Sequence, residues 1–449
     1  MKNRKNIFRI ILIAVLAMLT AGSIESEALF APLPAGDVSP VHSVDGYELE
    51  QMLMISRHNI RSPFSGGDSL LSRATPHEWF AWTSEPGELS VKGGQLETAM
   101  GQFFRKYMEA RNFIPKNWRP EKDEVRFYAN SLQRTIATSR FFAAGLLPSA
   151  NVEVEYHKAY GEVDPLFCPI VRYNSPEFEQ QVRSEVNRMG GDEGMSGIWD
   201  GLKDSFSLLE ELLDFKDSGF AKENDLTHIP LDGIELVLNA GQEPALAGTG
   251  LALASSAVDA LKLQIYEEED LDKALFGHKM TEDELRKICK IGDTTTAVCL
   301  GSRTLAMQVT NSMITEIREE LLIPERKFTF LCGHDSTLIS LVSALDIKEY
   351  ELPETISCKA PIGGKMIFEK YLRDDGQEYI KLSMCYNTTD QLRKSIVPSM
   401  EHPPMSCELE LNGLEKNEDG YYRFDDVIAR CDEIISHAYD YCDVTEDAA

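Results

Sequence analysis

The segment Arg57-His58-Asn59-Ile60-Arg61-Ser62-Pro63 sets two guanidinium groups around one imidazole. An R-H-x-x-R-x-P match fixes four positions, and at a usage of about one residue in twenty its chance occurrence in a chain of this length is on the order of 0.3%. The pattern therefore reads as chemistry rather than as a basic surface loop. Arginine forks fit the oxygens of a phosphate two at a time, so Arg57 and Arg61 would hold phosphorus in line with a ring nitrogen of His58. That makes His58 a candidate nucleophile. Phosphoryl transfer to an imidazole also needs stabilisation of developing charge and a proton for the departing oxygen, and His334-Asp335 carries both kinds of group. Arg134 would bring a third guanidinium in the first turn of a helix, where backbone N–H groups favour an anion.

These residues stand at the ends of three apolar segments that share one grammar of strand, polar turn and helix. Residues 51–55 lead into Ser56-Arg57-His58-Asn59. Residues 125–129 lead into Asn130-Ser131 and an amphipathic run over 132–146 that Pro148 closes, and residues 327–331 lead into Cys332-Gly333-His334-Asp335 and a helix over 336–345. Strand-then-helix units predict an α/β fold with a mainly parallel sheet covered by helices on both faces. In such a sheet ligands bind beyond the carboxyl ends of the strands, so the three turns are predicted to face one crevice. Between residues 156 and 305 the pattern changes to acidic helices over 175–189, 200–215, 243–269 and 281–290, which reads as an inserted, smaller all-helical cap domain. The α/β domain is then discontinuous, 30–155 and 306–449, with strand-like runs returning at 365–372 and 379–386. The small-residue stripe from Ala245 to Tyr266, with Gly248 and Gly250, has no G-x-G-x-x-G turn after a strand and reads as close helix packing.

The chain of 449 residues carries a formal charge of −28, with a pI near 4.8. That field repels nucleic acid and anionic lipid, whose binding needs a basic footprint. An anionic substrate must be drawn by a local arginine cluster of the kind described. Lys2, Arg4, Lys5 and Arg9, followed by an apolar run over 10–21 that ends in small residues, predict a secretory signal peptide over 1–23. The run is shorter than the ~20 residues of a spanning helix, so the expectation is a periplasmic or secreted protein without stable membrane association after signal removal. Nine cysteines, all from Cys168 onward, agree with an oxidising compartment, and Cys289 and Cys299 could close a small loop. No C-x-x-C occurs and no His stands at ligand spacing from a Cys pair, so zinc and thioredoxin-like chemistry have no support. No metal or organic cofactor is implied. Residues 443–449 read as an acidic tail.

Arg57-His58-x-x-Arg61-x-Pro63, Asn130-Ser131-Leu132-Gln133-Arg134-Thr135 and Gly333-His334-Asp335-Ser336 together resemble the signature of the histidine acid phosphatases, the two-domain branch of the histidine phosphatase superfamily. The likeness extends to Pro86-Gly87-Glu88-Leu89 and Pro361-Ile362-Gly363-Gly364-Lys365 and thins in the cap. The resemblance implies that His58 is phosphorylated, that Arg57, Arg61, Arg134 and His334 hold the phosphate, and that Asp335 donates a proton. Most of the family has Gly where Asn59 stands. Asn tolerates the left-handed backbone such a position requires, and its presence points within the family toward glucose 1-phosphate rather than inositol phosphates. By the same resemblance Gln264 and Glu267 are expected at the pocket mouth as substrate-binding groups, the alternative for them being a solvated helix face. The expected function is a secreted acid phosphomonoesterase acting on small phosphorylated substrates, notably sugar phosphates such as glucose 1-phosphate, through phosphohistidine. An inositol-polyphosphate phosphatase, or phytase, is the alternative within the same chemistry. From another class comes a binding protein for phosphorylated sugars, but a binder needs only the arginines, and His58, His334 and Asp335 are all present.

Overall fold

Three strands end at the residues singled out above: β1 (Tyr47–Arg57), β2 (Val125–Ala129) and, later in the chain, β5 (Phe328–Gly333). The computed structural model describes residues 46–64 and 69–442; the expected signal peptide and acidic tail lie outside them. Between β1 and β2 runs α1 (Val91–Ala110), and β2 is followed by α2 (Gln133–Leu146). Residues 156–305 contain α3 (Pro176–Met189), α4 (Lys203–Leu212), a hairpin of β3 (Glu235–Val237) and β4 (Ala245–Ala247), α5 (Thr249–Glu267) and α6 (Glu282–Leu300). Then come α7 (Arg303–Leu321), β5, α8 (Asp335–Ala344), β6 (Lys365–Arg373), β7 (Glu378–Tyr386), β8 (Met405–Glu408), β9 (Tyr422–Arg423) and α9 (Phe424–His437).

The main sheet has the order β2-β5-β1-β6-β7-β8, with β9 also on β7. β2, β5 and β1 pair in parallel, as the strand–turn–helix grammar requires. The fold is α/β as expected, and its parallel pairing is concentrated in the strands that carry the three turns. Beyond β1 the pairing is antiparallel, and for β6 and β7 it has to be, because residues 374–377 between them are far too few for a crossover.

Side chains of β1 alternate between two covered faces. Met52 and Met54 pack with Phe103, Phe104 and Phe142 under α1 and α2, whereas Leu53 and Ile55 pack with Ile314, Ile317 and Leu338 under α7 and α8. Burial on both sides explains why the strand shows a continuous apolar run instead of alternation. The sequence reading missed α1 because Gly93, Gly94 and Gly101 lower its intrinsic helix signal. Those glycines serve packing. A Cβ on Gly101 would stand 2.2 Å from the Phe142 carbonyl oxygen, and one on Gly145 would stand 2.1 Å from that of Thr98, so α1 and α2 touch backbone to backbone.

The inserted segment departs from the all-helical expectation. The helix expected from residue 243 opens as strand β4 and turns at Gly248, whose φ of 130° is open to glycine alone, before α5 starts. The small-residue stripe of α5 is buried, and Gly250 lies against the Pro230 carbonyl. α6 runs ten residues past its expected end, and within the extension Asp293, a poor helix former by type, pairs with Lys262 at 3.0 Å. Cys289 and Cys299 both lie on α6, roughly 15 Å apart at 1.5 Å per residue, so they do not close a loop. No helix among the described residues is long and apolar enough to cross a membrane.

Candidate active site

Strand register brings the three turns together. Arg57 stands opposite Gly333 and Ala129 opposite Cys332, so the chain leaves all three strands at one sheet edge. The turns are also bonded to one another: the His58 N–H donates to the Gly333 carbonyl at 3.1 Å and the Asn130 N–H to the Cys332 carbonyl at 3.0 Å. Beyond this edge lies a cavity of about 400 Å³ whose walls include His58, Arg61, Arg134, His334 and Asp335. Arg57 reaches it through its contact with Asp335 at 3.0 Å.

The His58 ring is buried, and its Nδ1 lies 2.9 Å from the Asn59 carbonyl oxygen. A carbonyl only accepts, so Nδ1 carries the ring proton and Nε2 keeps its lone pair. Burial, together with the charges of Arg134, Arg61, His334 and Arg57, holds the pKa of His58 well below its ordinary value. The imidazole is thus neutral and nucleophilic at any pH near neutrality. His334 meets it edge to face, with ring centroids 5.5 Å apart. Asn130 fixes the second ring: its Oδ1 accepts the Asp164 N–H at 2.8 Å, which turns its Nδ2 toward His334 Nε2 at 2.7 Å. Burial and the Arg134 charge push the His334 pKa down to about 3, so this ring too is neutral.

Around the two rings stand the cations. Arg57 divides its fork between the Ala360 carbonyl at 2.6 Å and Asp335. Arg61 bonds both Asp259 oxygens, at 3.2 and 3.0 Å, and shares the Phe64 ring with Arg134. Burial and the nearby Arg61 charge push the Arg134 pKa down to about 10, a strain that a bound anion would relieve. The Nε–H groups of Arg57, Arg61 and Arg134 are buried and find no acceptor among the described residues, which leaves donors available to an oxyanion. Asp335 opens α8, its Oδ1 accepting the Ser336 N–H at 2.9 Å. Burial by itself would raise its pKa, but Arg57, His334 and Arg61 outweigh that and hold it below the usual carboxylate range.

The structure does not place Asn59, Gln264 or Glu267 at the substrate cavity. Asn59 turns inward: its Nδ2 donates to Glu97 at 2.7 Å and its Oδ1 accepts the Ile60 N–H at 2.8 Å. Its backbone is not left-handed; the residue that is, in contact with it, is Gly363, where a Cβ would come within 2.7 Å of the Asn59 amide. Gln264 is spent on the Phe80 N–H at 3.2 Å and the Ala274 carbonyl at 2.5 Å, and Glu267 accepts the Ser90 hydroxyl at 2.8 Å. The end of α5 that carries both packs on the 80–92 segment. The carboxylate that the inserted segment does bring to the cavity is Glu243, whose pKa burial raises. The sequence reading gives Asn130 as turn and cap and as part of the family signature, without a role in holding His334; a polar side chain closing a strand at the expected crevice is the available signal for that role.

A neutral buried imidazole among guanidiniums, at the carboxyl ends of parallel strands and beside an acid on a helix start, defines a phosphoryl-transfer site. The model of the histidine phosphatase superfamily (branch 2) matches residues 48–185. The chain is 33% identical over 407 residues to the glucose-1-phosphatase of Providencia rettgeri, covering 89% of this chain and 95% of that one. It is 32% identical over 425 residues to the glucose-1-phosphatase of Salmonella typhimurium, with 92% and 98% covered. Among solved structures, the phytase from Citrobacter braakii aligns with a TM-score of 0.79 at 25% identity, over 89% of this chain and 100% of that one. The chain belongs to branch 2 of the histidine phosphatase superfamily and is a histidine acid phosphatase.

Proposed function

We propose that the enzyme hydrolyses singly phosphorylated sugars such as glucose 1-phosphate through a phosphohistidine on His58. The observation that carries this reading is the Nδ1–H bond of His58 to the Asn59 carbonyl, which leaves Nε2 free among the arginines. In the first step Nε2 attacks phosphorus, the bond from phosphorus to the sugar oxygen breaks, and that oxygen takes the proton of the Asp335 carboxyl. Water then attacks phosphorus and gives its proton to the Asp335 carboxylate while the phosphorus–nitrogen bond breaks and Nε2 recovers its electron pair. Arg57, Arg61, Arg134 and His334 hold the phosphoryl oxygens throughout. Asp335 must be protonated when the substrate binds. A phosphate among the arginines offsets their charge and raises the acid's pKa, which favours turnover at acidic pH.

The choice of sugar phosphate over inositol polyphosphate rests on charge. Among the described residues, Arg61 and Arg134 line the cavity as cations and Arg57 reaches it through Asp335, while Glu243 and Asp335 are its acids. That balance suits one phosphate, whereas further phosphates would lie against Glu243. The names of the two glucose-1-phosphatase relatives agree with this reading. Phosphate release from glucose 1-phosphate and from inositol hexakisphosphate tests it, and a higher kcat/KM on the hexakisphosphate overturns the assignment. The pattern over residues 1–23 supports export across the cytoplasmic membrane; a mature protein that retains Met1 would refute that part.

A further inference from the structure

Away from the phosphate cavity, three side chains from three segments converge on one point. His77 lies in the loop between the turn after β1 and α1, Asp214 just past the end of α4, and His278 in the loop before α6. His77 Nε2 is 2.7 Å from Asp214 Oδ2 and His278 Nε2 is 3.3 Å from the same oxygen. One ligand atom from each falls within 4.8 Å of the other two. None of the three lines the cavity described above. Their side chains are 25% to 45% exposed, so the point is reachable from solvent.

From this geometry we infer that His77, Asp214 and His278 form a binding site for a divalent transition ion of the zinc type. Two imidazole nitrogens and one carboxylate oxygen are the donor set such ions prefer, whereas calcium and magnesium take oxygen alone. At metal–ligand bonds of ~2.0–2.2 Å, ligand atoms on a tetrahedral ion stand roughly 3.3–3.6 Å apart. The Asp214–His278 distance already lies at that value, and the Asp214–His77 distance has to open by about 0.6 Å. The backbones that carry the ligands are pinned. The His77 N–H donates to Thr75 Oγ1 at 3.2 Å, Asp214 is held left-handed at φ 46°, and the His278 N–H donates to the Leu275 carbonyl at 2.9 Å. Phe276 stacks on the His77 ring at 4.9 Å with Trp79 against its edge, an apolar wall that fixes the imidazole plane. Three protein ligands leave the fourth position to water, and the ion ties the loop before α1 to the segments that end α4 and precede α6. No ligand spacing in the sequence announces the site, because its members meet only through the fold.

The full chain, stripped with a chelator and desalted, tests this with zinc chloride in titration calorimetry and with cobalt(II) in visible absorption. The expected result is one equivalent of zinc on the site, tetrahedral cobalt bands, and a melting temperature raised by several degrees with zinc. The double variant His77→Ala with His278→Ala loses at least tenfold in zinc affinity and the whole of the zinc-dependent rise in melting temperature, while its phosphatase activity stays unchanged. Zinc affinity unaltered in the double variant, or octahedral aqueous cobalt alone with the unaltered chain, overturns the assignment. Because the cobalt spectrum is read on the unaltered chain, a variant that fails to fold does not shelter the proposal.

Discussion

Lys365 stands opposite Ser56 in the sheet, one residue from Arg57, and each of the two cations meets a carboxylate: Glu97 at 2.7 Å for Lys365 and Asp335 at 3.0 Å for Arg57. The Glu97–Lys365 pair is sealed, at 1% and 0% exposure, whereas Asp335 leaves 40% of its side chain open. Desolvating two charges is repaid only when further hydrogen bonds satisfy them. The sealed pair has these: Glu97 accepts from Asn59, Lys365 donates to the Gly363 carbonyl, and the Gly363 N–H donates to the His58 carbonyl. It is a frame for the nucleophile's backbone. The open pair instead leaves Arg57 able to exchange one carboxylate oxygen for a phosphate oxygen, so the same chemistry at different solvent access serves fold in one place and reaction in the other.

The comparison breaks most visibly at the residue both pairs surround. His58→Ala should lower turnover on sugar phosphates by on the order of 10⁴-fold or more, with phosphate affinity retained through the arginines. Acid-labile label trapped on the unaltered chain and absent from the variant checks the covalent step. Comparable hydrolysis by the variant would remove His58 from the mechanism. Next in size is the sealed pair. Glu97→Ala strands a buried ammonium and should cost about 3–5 kcal/mol of stability, read from the denaturant midpoint. A loss under about 1 kcal/mol would mean that Lys365 finds water or another partner and that the frame is not electrostatic. Arg61→Lys keeps the charge but removes the fork, and should cost roughly 2–4 kcal/mol of transition-state binding with little change in midpoint. An unchanged kcat/KM would place Arg61 outside the reaction.

The open half of this comparison was legible in the sequence and the sealed half was not. Arg57, His58, Arg61, His334 and Asp335 announce themselves because chemistry restricts both type and spacing, and Ala129 ends its strand where Asn130-Ser131 marks a turn. Glu97 sits on a helix hidden by its own glycines, which answer to the Ile60 backbone, the Phe141 ring and the backbone of α2 rather than to local propensity. Lys365 reads as an ordinary strand-start lysine, since nothing local tells a buried ammonium from a solvated one. Gln264 and Glu267 have the right types for a sugar site, but the packing of α5 on the 80–92 segment decides where they point. Types that bear reacting charge can be read singly; partners that bury it depend on contacts far apart in the chain.

The smallest effect is expected where the open pair is asked what it does for the fold. Asp335→Asn keeps an oxygen acceptor for Arg57 and removes the charge. The Asp335 pKa is lowered to about 2 in the folded protein, because Arg57, His334 and Arg61 outweigh the burial that would raise it. An unfolded aspartate titrates near ~3.9. The folded chain therefore binds the proton less readily, so the contribution of the pair is present in full above that value and is lost as pH falls from ~4 through about 2. With 40% of the Asp335 side chain exposed, solvent screening keeps this contribution below about 1 kcal/mol. Unfolding curves for the two proteins should run in parallel from neutral pH down to ~4 and converge below it. Over the same range Asp335→Asn should slow a sugar phosphate by ~10²–10⁴-fold and p-nitrophenyl phosphate much less, because nitrophenolate leaves with little help from an acid. A stability loss as large as that of Glu97→Ala, or an equal loss on the two leaving groups, would make Asp335 part of the frame, and the proton would then have to come from the other cavity acid, Glu243.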